Sequence, residues 1–254
     1  MRRDDSIAFC VASYENEIYL TFDTDWADDV VVRDTIDLLE ERSVAGTVFV
    51  THVSPFLSEL GSHPLIEVGI HPNFNGLLEA GRHEQAAATV LATLHDAYPS
   101  AVSVRSHSLF QSSGLHRLFA SRGLSVEVNQ FIPSWSGIVC RPYREVTGAL
   151  RVPYFWEDDV HVMAMAQGLT TGWDVDAMVE ASGLKVFDFH PIHVFLNTEH
   201  MDRYDRGRDH LRDVARLVEH RCPGYGTRSF LIDLIDRALE RRLRFRKISE
   251  LRVA

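Results

Sequence analysis

Two carboxylates, Asp23 and Asp25, follow an apolar run at residues 18–20 that has the composition of a buried strand. Side chains two residues apart on a strand point to the same face, so both carboxylates would lie together beyond the end of the strand. Like charges this close resist joint ionisation, and the pair therefore needs a compensating partner. A divalent metal ion or a proton-transfer role would supply one.

Three later apolar runs also end in residues that could do chemistry. They are followed by His71, by Arg105 with His107, and by His190 with His193. In a parallel α/β sheet these positions lie at the carboxyl ends of strands, which is the edge where active sites are built. One rim would therefore collect aspartate, histidine and arginine from four separate strands.

These residue types are sufficient for metal-assisted hydrolysis. A catalytic zinc site uses three protein ligands and one open position for water, and Asp25 and His71 are suitable ligands. Asp23 could take a proton from the water, and His190 could protonate the leaving group. Arg105 could hold Asp23 through a bidentate contact and keep it ionised.

Strand-like and helix-like segments alternate between these residues. Strands are predicted at 18–23, 47–50, 66–70, 102–104, around 126–128, 185–189 and 245–248, and helices at 28–42, 82–98, 114–122, 174–182, 206–220 and 229–243. Residues 133–153 are expected to form loops with one or two strands. The pattern predicts an α/β fold with one domain spanning residues 1–254, a distorted (β/α) barrel with about seven parallel strands.

The bulk composition limits the partners. Hydrophobic residues make up 45% of the 254-residue chain and charged residues 24%, as in a soluble globular enzyme. A formal net charge of −10 argues against a nucleic-acid partner. No stretch approaches the length of a membrane span, and the charged start lacks the apolar core of a signal peptide. Three widely separated cysteines suggest no disulfide framework, so a cytoplasmic location is expected.

The order and spacing of these motifs resemble the polysaccharide deacetylases, the NodB-homology domain of carbohydrate esterase family 4. That family has a Thr-Phe-Asp-Asp-Gly strand end, a Glu-hydrophobic-Gly-x-His segment, an arginine-led third motif and a late strand ending in histidine. This chain has Thr-Phe-Asp-Thr-Asp at 21–25, Glu-Val-Gly-Ile-His at 67–71, Arg105, and Val-Phe-Asp-Phe-His at 186–190. The segment at 247–251 is similar to the closing segment of that fold. The resemblance spans roughly residues 18 to 251.

The resemblance implies a role for each of five residues. Asp23 would be the base, Asp25 and His71 metal ligands, Arg105 the residue that orients Asp23, and His190 the acid. The metal would be Zn²⁺, with Fe, Co or Ni as alternatives. The expected reaction removes an N-acetyl or related acyl group from an amino-sugar glycan or glycan precursor, in bacterial surface polysaccharide biosynthesis of the O-antigen type.

Three departures from the family pattern concern the metal site. The first motif reads Asp-Thr-Asp, so the ligand carboxylate stands one residue further on, as in intracellular-type members. Asn75 stands where the family has a second histidine, and an amide oxygen is a weaker zinc ligand than imidazole. The third motif continues with His107, which we prefer to Asn75 as the third ligand.

Four further residues are candidates for substrate binding. Trp26 adjoins Asp25 and would form the pocket wall, and Trp156 would stack on a sugar face. Asp158 would order His190, and His193 belongs to the same cluster. The acidic run at 157–159 has a simpler interpretation as an exposed helix start.

Two other functions are compatible with parts of the pattern. A nucleotide-sugar glycosyltransferase would use Asp-x-Asp to hold a metal on a diphosphate, and would leave His71 and His190 without a role. A non-catalytic deacetylase-like protein would bind glycan without turnover, and Asn75 is the feature that favours it.

Overall fold

Ten β-strands form one mostly parallel sheet in the computed structural model, which describes residues 13–25, 27–80 and 84–252. In chain order the strands are β1 (Glu17–Asp23), β2 (Gly46–Val50), β3 (Ile66–Ile70), β4 (Ser103–Val104), β5 (Val126–Phe131), β6 (Tyr143–Arg144), β7 (Leu150–Tyr154), β8 (Trp156–Glu157), β9 (Lys185–Phe189) and β10 (Arg244–Phe245).

Helices cover the sheet and connect its strands. Within the described residues they are α1 (Asp29–Glu41), α2 (Pro55–Leu60), α3 (Asn75–Ala80), α4 (Glu84–Ala97), α5 (Ser113–Ser121), α6 (Asp158–Ala166), α7 (Val175–Glu180), α8 (Pro191–Leu196), α9 (Met201–Gly207), α10 (Val214–Leu217) and α11 (Thr227–Glu240). No helix among the described residues combines the length and the apolar character that crossing a bilayer requires.

The sheet curls until its two ends meet. Its strand order is β6-β7-β5-β4-β3-β2-β1-β9-β8, with β10 beside β1. A single residue, Phe155, separates β7, which pairs with β5, from β8, which pairs with β9. The backbone N–H of Phe155 also donates to the carbonyl of Val186 in β9. The predicted distorted barrel is confirmed, with β1 to β5, the segment 150–157 and β9 around it.

The central strands are buried over their whole length. Every residue of β1 and of β9 is buried, as expected for parallel strands covered on both faces. Their carboxyl ends lie side by side, with Phe22 paired in register with Phe189. Asp23 and His190, which come immediately after these two residues, therefore emerge at the same rim of the barrel.

The prediction of one continuous helix over 206–220 is wrong. The chain there forms the end of α9, a 3₁₀ turn, the short α10 and a second 3₁₀ turn. Asp213 caps α10 by accepting from the backbone N–H of Arg216. This cap starts a new helix inside the predicted one. The six-residue helices α2 and α8 were not predicted, because so short a segment shows no helical period.

Gly69 of β3 allows close packing below the site. A Cβ at this position would lie 2.6 Å from both Phe49 Cε1 and Ser103 Oγ. Phe49 in turn packs its ring against the guanidinium of Arg105, at 4.7 Å from the ring centroid. The glycine of the Glu-Val-Gly-Ile-His motif therefore keeps space for a ring that supports the rim arginine.

We expect Gly69→Ala to lower the free energy of unfolding by about 1–3 kcal/mol, because Phe49 and Ser103 must move. Urea unfolding measures this change. Gly76→Ala is the matched control, because a Cβ there meets no atom within 4 Å, and it should change stability by less than about 1 kcal/mol. Equal effects of the two substitutions would contradict the packing role of Gly69.

Candidate active site

The predicted site residues meet at the carboxyl end of the barrel. Asp23 ends β1, His71 follows β3, Arg105 follows β4 and His190 follows β9. Strands that are distant in sequence are neighbours in the sheet order β4-β3-β2-β1-β9. The rim that the sequence predicts is therefore present, and its side chains are close enough to contact one another.

Three side chains bring potential ligand atoms together at one point. His107 Nδ1 lies 3.0 Å from Asp25 Oδ1, and His71 Nε2 lies 3.3 Å from that same oxygen. The two imidazole nitrogens are 3.3 Å apart. Ligand atoms around a tetrahedral ion with bonds of about 2.0–2.1 Å are separated by about 3.3 Å. Asp25, His71 and His107 therefore fit a zinc-type ion.

The backbone at Asp25 adopts a left-handed conformation, with φ of 40°. Aspartate is one of the few residues other than glycine that tolerates this region. Two contacts with the next strand fix the turn: Thr24 N donates to the carbonyl of Phe49 at 3.1 Å, and Thr51 Oγ1 donates to the carbonyl of Asp25. The turn directs the Asp25 carboxylate towards the two histidines.

His107 is held by the loop that follows β4. Its backbone N–H donates to the carbonyl of Pro72 at 3.1 Å, which ties this loop to the one carrying His71. Asn75, the alternative third ligand, instead donates its amide nitrogen to Ser108 Oγ at 3.1 Å. The geometry favours His107 over Asn75 as the third ligand.

The charges of this cluster are mutually stabilising. Burial alone would raise the pKa of Asp25, but hydrogen bonds from His107 and His71 and the nearby charge of His190 lower it well below its ordinary value. Burial also disfavours charge on His71, yet Asp23 and Asp25 raise its pKa above the ordinary value. The cluster thus pairs an ionised carboxylate with imidazoles that would exchange protons for a cation.

Arg105 is fully buried beneath the rim and contacts Asp23 directly. Its Nη1 lies 2.9 Å from Asp23 Oδ1 and also contacts Asp188. Nη2 donates to Thr21 Oγ1 at 2.9 Å, and Nε donates to the carbonyl of Val128 at 3.1 Å. The guanidinium is thus fixed on every side, and it orients one oxygen of Asp23 while the other faces His71 Nδ1 at 3.5 Å.

His190 is fixed by Asp158, as the sequence suggested. His190 Nδ1 lies 2.8 Å from Asp158 Oδ1, and the backbone N–H of His190 donates to Asp158 Oδ2 at 2.8 Å. Its Nε2 faces the site, 3.5 Å from Asp25 Oδ2. Burial would lower the pKa of His190, but the charge and hydrogen bond of Asp158 raise it well above the ordinary value. The ring is therefore poised to carry a proton towards the site.

Two adjoining cavities open beside these residues. One of about 170 Å³ is lined by Asp23, Asp25, His71, His107 and His190 together with Ser106, Ser108, Leu109, Tyr154, Glu157 and Asp159. The other, of about 140 Å³, shares Asp25, Asp159 and His190 with the first and is lined further by Ala27, Ile192, His193, Met201, Tyr204 and Leu211. A substrate therefore has space on both sides of His190.

The candidate substrate-binding residues have different positions. Trp156 is only 1% exposed and packs between Phe189 and Phe230, so it has no free face for a sugar and the expected stacking is wrong. Trp26 lies outside the described residues. His193 lines the smaller cavity, with its Nδ1 3.1 Å from Thr198 Oγ1.

The sequence reasoning missed Asp188, Glu157 and Tyr154 as residues of this region. Asp188 contacts Arg105, and Tyr154 donates its hydroxyl to Glu157 Oε2 at 2.9 Å on the cavity wall. Burial, together with the charges of Asp159 and Asp188, raises the pKa of Glu157 well above its ordinary value. A signal for Asp188 was available, because it is a charged residue between two apolar ones, Phe187 and Phe189.

Solved structures show the same fold. A Bordetella bronchiseptica protein described as a polysaccharide deacetylase involved in O-antigen biosynthesis is 41% identical, with 89% of this chain and 92% of that chain covered and a TM-score of 0.80. A Mycobacterium smegmatis protein described as a polysaccharide deacetylase is 15% identical, with 91% and 94% covered and a TM-score of 0.52. The peptidoglycan deacetylase PdaC of Bacillus subtilis is 12% identical, with 92% and 89% covered and a TM-score of 0.51.

Sequence comparison assigns the family. No match was found among curated proteins. A family profile described as WbmS-like polysaccharide deacetylase matches residues 20–208, which include every rim residue of the site. Together with the Bordetella structure, which is 41% identical, this match shows that the chain belongs to the WbmS-like polysaccharide deacetylases.

Proposed function

We propose that this protein is a metal-dependent hydrolase that removes an N-acetyl or related acyl group from an amino-sugar glycan in the biosynthesis of an O-antigen-type surface polysaccharide. The observation that carries the proposal is the cluster of Asp25, His71 and His107, flanked by Asp23 on one side and His190 on the other. The description of the Bordetella relative supports the O-antigen setting.

Asp25, His71 and His107 would hold the metal ion, for which Zn²⁺ fits the nitrogen and oxygen donors best. When bound, a divalent ion supplies a Lewis acid that activates water and polarises an acyl carbonyl. The chain supplies the positions of the three ligands. The Asp23 carboxylate lies next to the His71 imidazole, with Oδ2 3.5 Å from His71 Nδ1.

Asp23 and His190 divide the proton transfers. Asp23 takes one proton from the water whose oxygen adds to the acyl carbon, while Arg105 holds its carboxylate in place. His190, oriented by Asp158, gives a proton to the sugar nitrogen as the carbon–nitrogen bond breaks. The products are an amine and a carboxylic acid, which then loses its proton to solvent. Proton return from Asp23 to solvent, and from solvent to His190, restores the starting state.

The walls of the cavities favour a substrate without phosphate. Backbone donors near His190 are taken by the protein's own carboxylates: Asp159 N donates to Asp158 Oδ1 at 2.8 Å, and Val160 N to Asp159 Oδ1 at 2.6 Å. Among the described residues that line the two cavities there is no lysine or arginine. A sugar 1-diphosphate would place its phosphate next to the carbon bearing a 2-acetamido group. We therefore propose a glycosidically linked substrate.

Metal analysis tests the ligand set. We expect about one divalent ion per purified chain and losses of at least about tenfold in metal affinity in Asp25→Ala, His71→Ala and His107→Ala, because each removes one of three ligands. Asn75→Ala is the control and should keep the metal, since Asn75 contacts Ser108 instead. Metal retention by His107→Ala with metal loss by Asn75→Ala would show that the third ligand is wrongly assigned.

Acetate release tests the reaction. With an N-acetylglucosamine oligosaccharide, we expect Asp23→Asn to lower kcat by about 10²–10⁴-fold, because the general base is lost. Asp158→Asn should lower kcat by about 10–100-fold, because His190 loses the group that orients it. Both variants should keep the metal. Metal-loaded wild-type protein that binds N-acetylated glycans and releases no acetate would instead support the non-catalytic alternative.

Competition between substrates tests the charge preference. We expect kcat/KM to be at least about tenfold higher for the oligosaccharide than for UDP-N-acetylglucosamine, because Asp159 repels phosphate. Asp159→Asn should narrow this ratio by raising turnover of the nucleotide sugar. An unchanged ratio in Asp159→Asn, or equal use of both substrates by the wild type, would exclude this explanation.

A further inference from the structure

Asp188 is a carboxylate in the middle of the apolar strand β9. It is fully buried, and its neighbours in the strand, Phe187 and Phe189, are fully buried as well. It pairs in register with Thr21 of β1 on one side and with Glu157 of β8 on the other. No step of the proposed reaction uses it, although a fully buried carboxylate is costly unless its charge is compensated.

Its contacts are all with the support of the catalytic base. Asp188 Oδ1 contacts Nη1 of Arg105 and lies 2.9 Å from Thr21 Oγ1, whose one hydroxyl proton is shared with the carbonyl of Phe187 at 2.8 Å. The same Nη1 contacts Asp23 Oδ1, and Thr21 also accepts from Nη2 of Arg105. Asp188 and Thr21 therefore hold the two terminal nitrogens of Arg105, one of which meets Asp23.

The charges in this group do not balance. Arg105 carries one positive charge and contacts two carboxylates, Asp23 and Asp188, and all three side chains are at most 5% exposed. Burial raises the pKa of Asp188 above its ordinary value, against the opposing effect of the Arg105 charge and with a further increase from Asp23. Asp158, Glu157, Tyr154 and His190 are the other titratable groups that face this region. A second carboxylate on one arginine is difficult to explain by stability alone.

The position of Asp188 links the two catalytic groups. Oxygen atoms of Asp23 and Asp188 and a ring nitrogen of His190 lie within 4.8 Å of one another. Asp188 also lies two residues before His190, which directly follows β9. A shift of the Asp188 carboxylate would therefore act on Asp23 through Arg105, close to His190.

We propose that Asp188 is a positioning residue for the reaction, which holds Arg105 against Asp23 and is retained for catalysis rather than for stability. The role rests on the proposed function, since it acts through the base of that reaction. Asp188→Asn keeps the shape and an acceptor for Thr21 but removes the charged contact with Arg105. It should therefore affect the rate without weakening the fold.

A second buried carboxylate provides the matched control. Glu127 of β5 is fully buried, like Asp188, and both have one oxygen without a hydrogen-bond partner in the described structure. Glu127 Oε2 contacts Arg151 and also lies 2.7 Å from His116 Nδ1. Arg151 meets no other carboxylate among the described residues, and Glu127 lines neither cavity. Glu127→Gln thus removes a carboxylate from a site that has one arginine, and it should destabilise the protein because Arg151 keeps only its contacts with His116 and Gln111.

The experiment compares wild type, Asp188→Asn and Glu127→Gln by urea unfolding, metal content and acetate release from an N-acetylglucosamine oligosaccharide. We expect Asp188→Asn to keep its metal, to unfold at an equal or higher urea concentration, and to lose about 10–100-fold in kcat with KM within about twofold. Glu127→Gln should unfold at lower urea and keep its kcat per folded molecule.

The pH dependence of stability provides a further readout. A carboxyl group whose pKa is higher in the folded protein than in the unfolded chain, where it is about 3.9, lowers the stability of the protein as pH rises above the unfolded value. The stability advantage of Asp188→Asn over wild type should therefore grow as pH rises from about 4.

Two outcomes would overturn the proposal: a loss of stability in Asp188→Asn as large as in Glu127→Gln, or an unchanged kcat. If the wild-type protein releases no acetate, the proposed function fails separately. The unfolding measurement then still tests the role of Asp188, because a loss of stability in Asp188→Asn would show that Asp188 is a structural partner of Arg105.

Discussion

The buried guanidinium of Arg105 is the interaction on which the site depends. It lies inside the barrel with no exposed surface and draws together carboxylates from β1 and β9 that would otherwise repel each other. The rings of Phe49 and Tyr154 pack against it, with ring centroids at 4.7 Å and 4.5 Å. Because arginine stays charged when buried, it can hold the Asp23 carboxylate in place inside the barrel.

Closure of the barrel places the remaining groups around this centre. The segment 150–157 crosses from β5 to β9. Its Tyr154 packs against the guanidinium, and its Glu157 lines the cavity wall. Asp158, the next residue, contacts His190. The chain therefore passes Arg105 first and reaches His190 four residues later. One short stretch therefore connects the surroundings of Arg105 with those of His190.

The sequence predicted the rim but not the interior beneath it. Polar residues directly after apolar strands identified Asp23, His71, Arg105 and His190, because strand ends are fixed by the pattern alone. The face of the sheet on which a side chain lies depends on how the sheet closes. No local sequence pattern predicts that closure. Trp156 was therefore expected at the cavity although Phe189 and Phe230 enclose it, whereas Asp188 was overlooked.

The departures from the family pattern are related through the backbone at Asp25. The family motif has glycine at this position, and the φ of 40° found here explains why only glycine or a residue such as aspartate fits. Placing a carboxylate on this left-handed residue directs it towards the loop after β4, where His107 lies 3.0 Å away. In the proposed metal site, His107 would supply an imidazole where Asn75 offers only an amide. The shifted aspartate and the third-motif histidine would then compensate for each other, which favours the proposed metal centre over its loss.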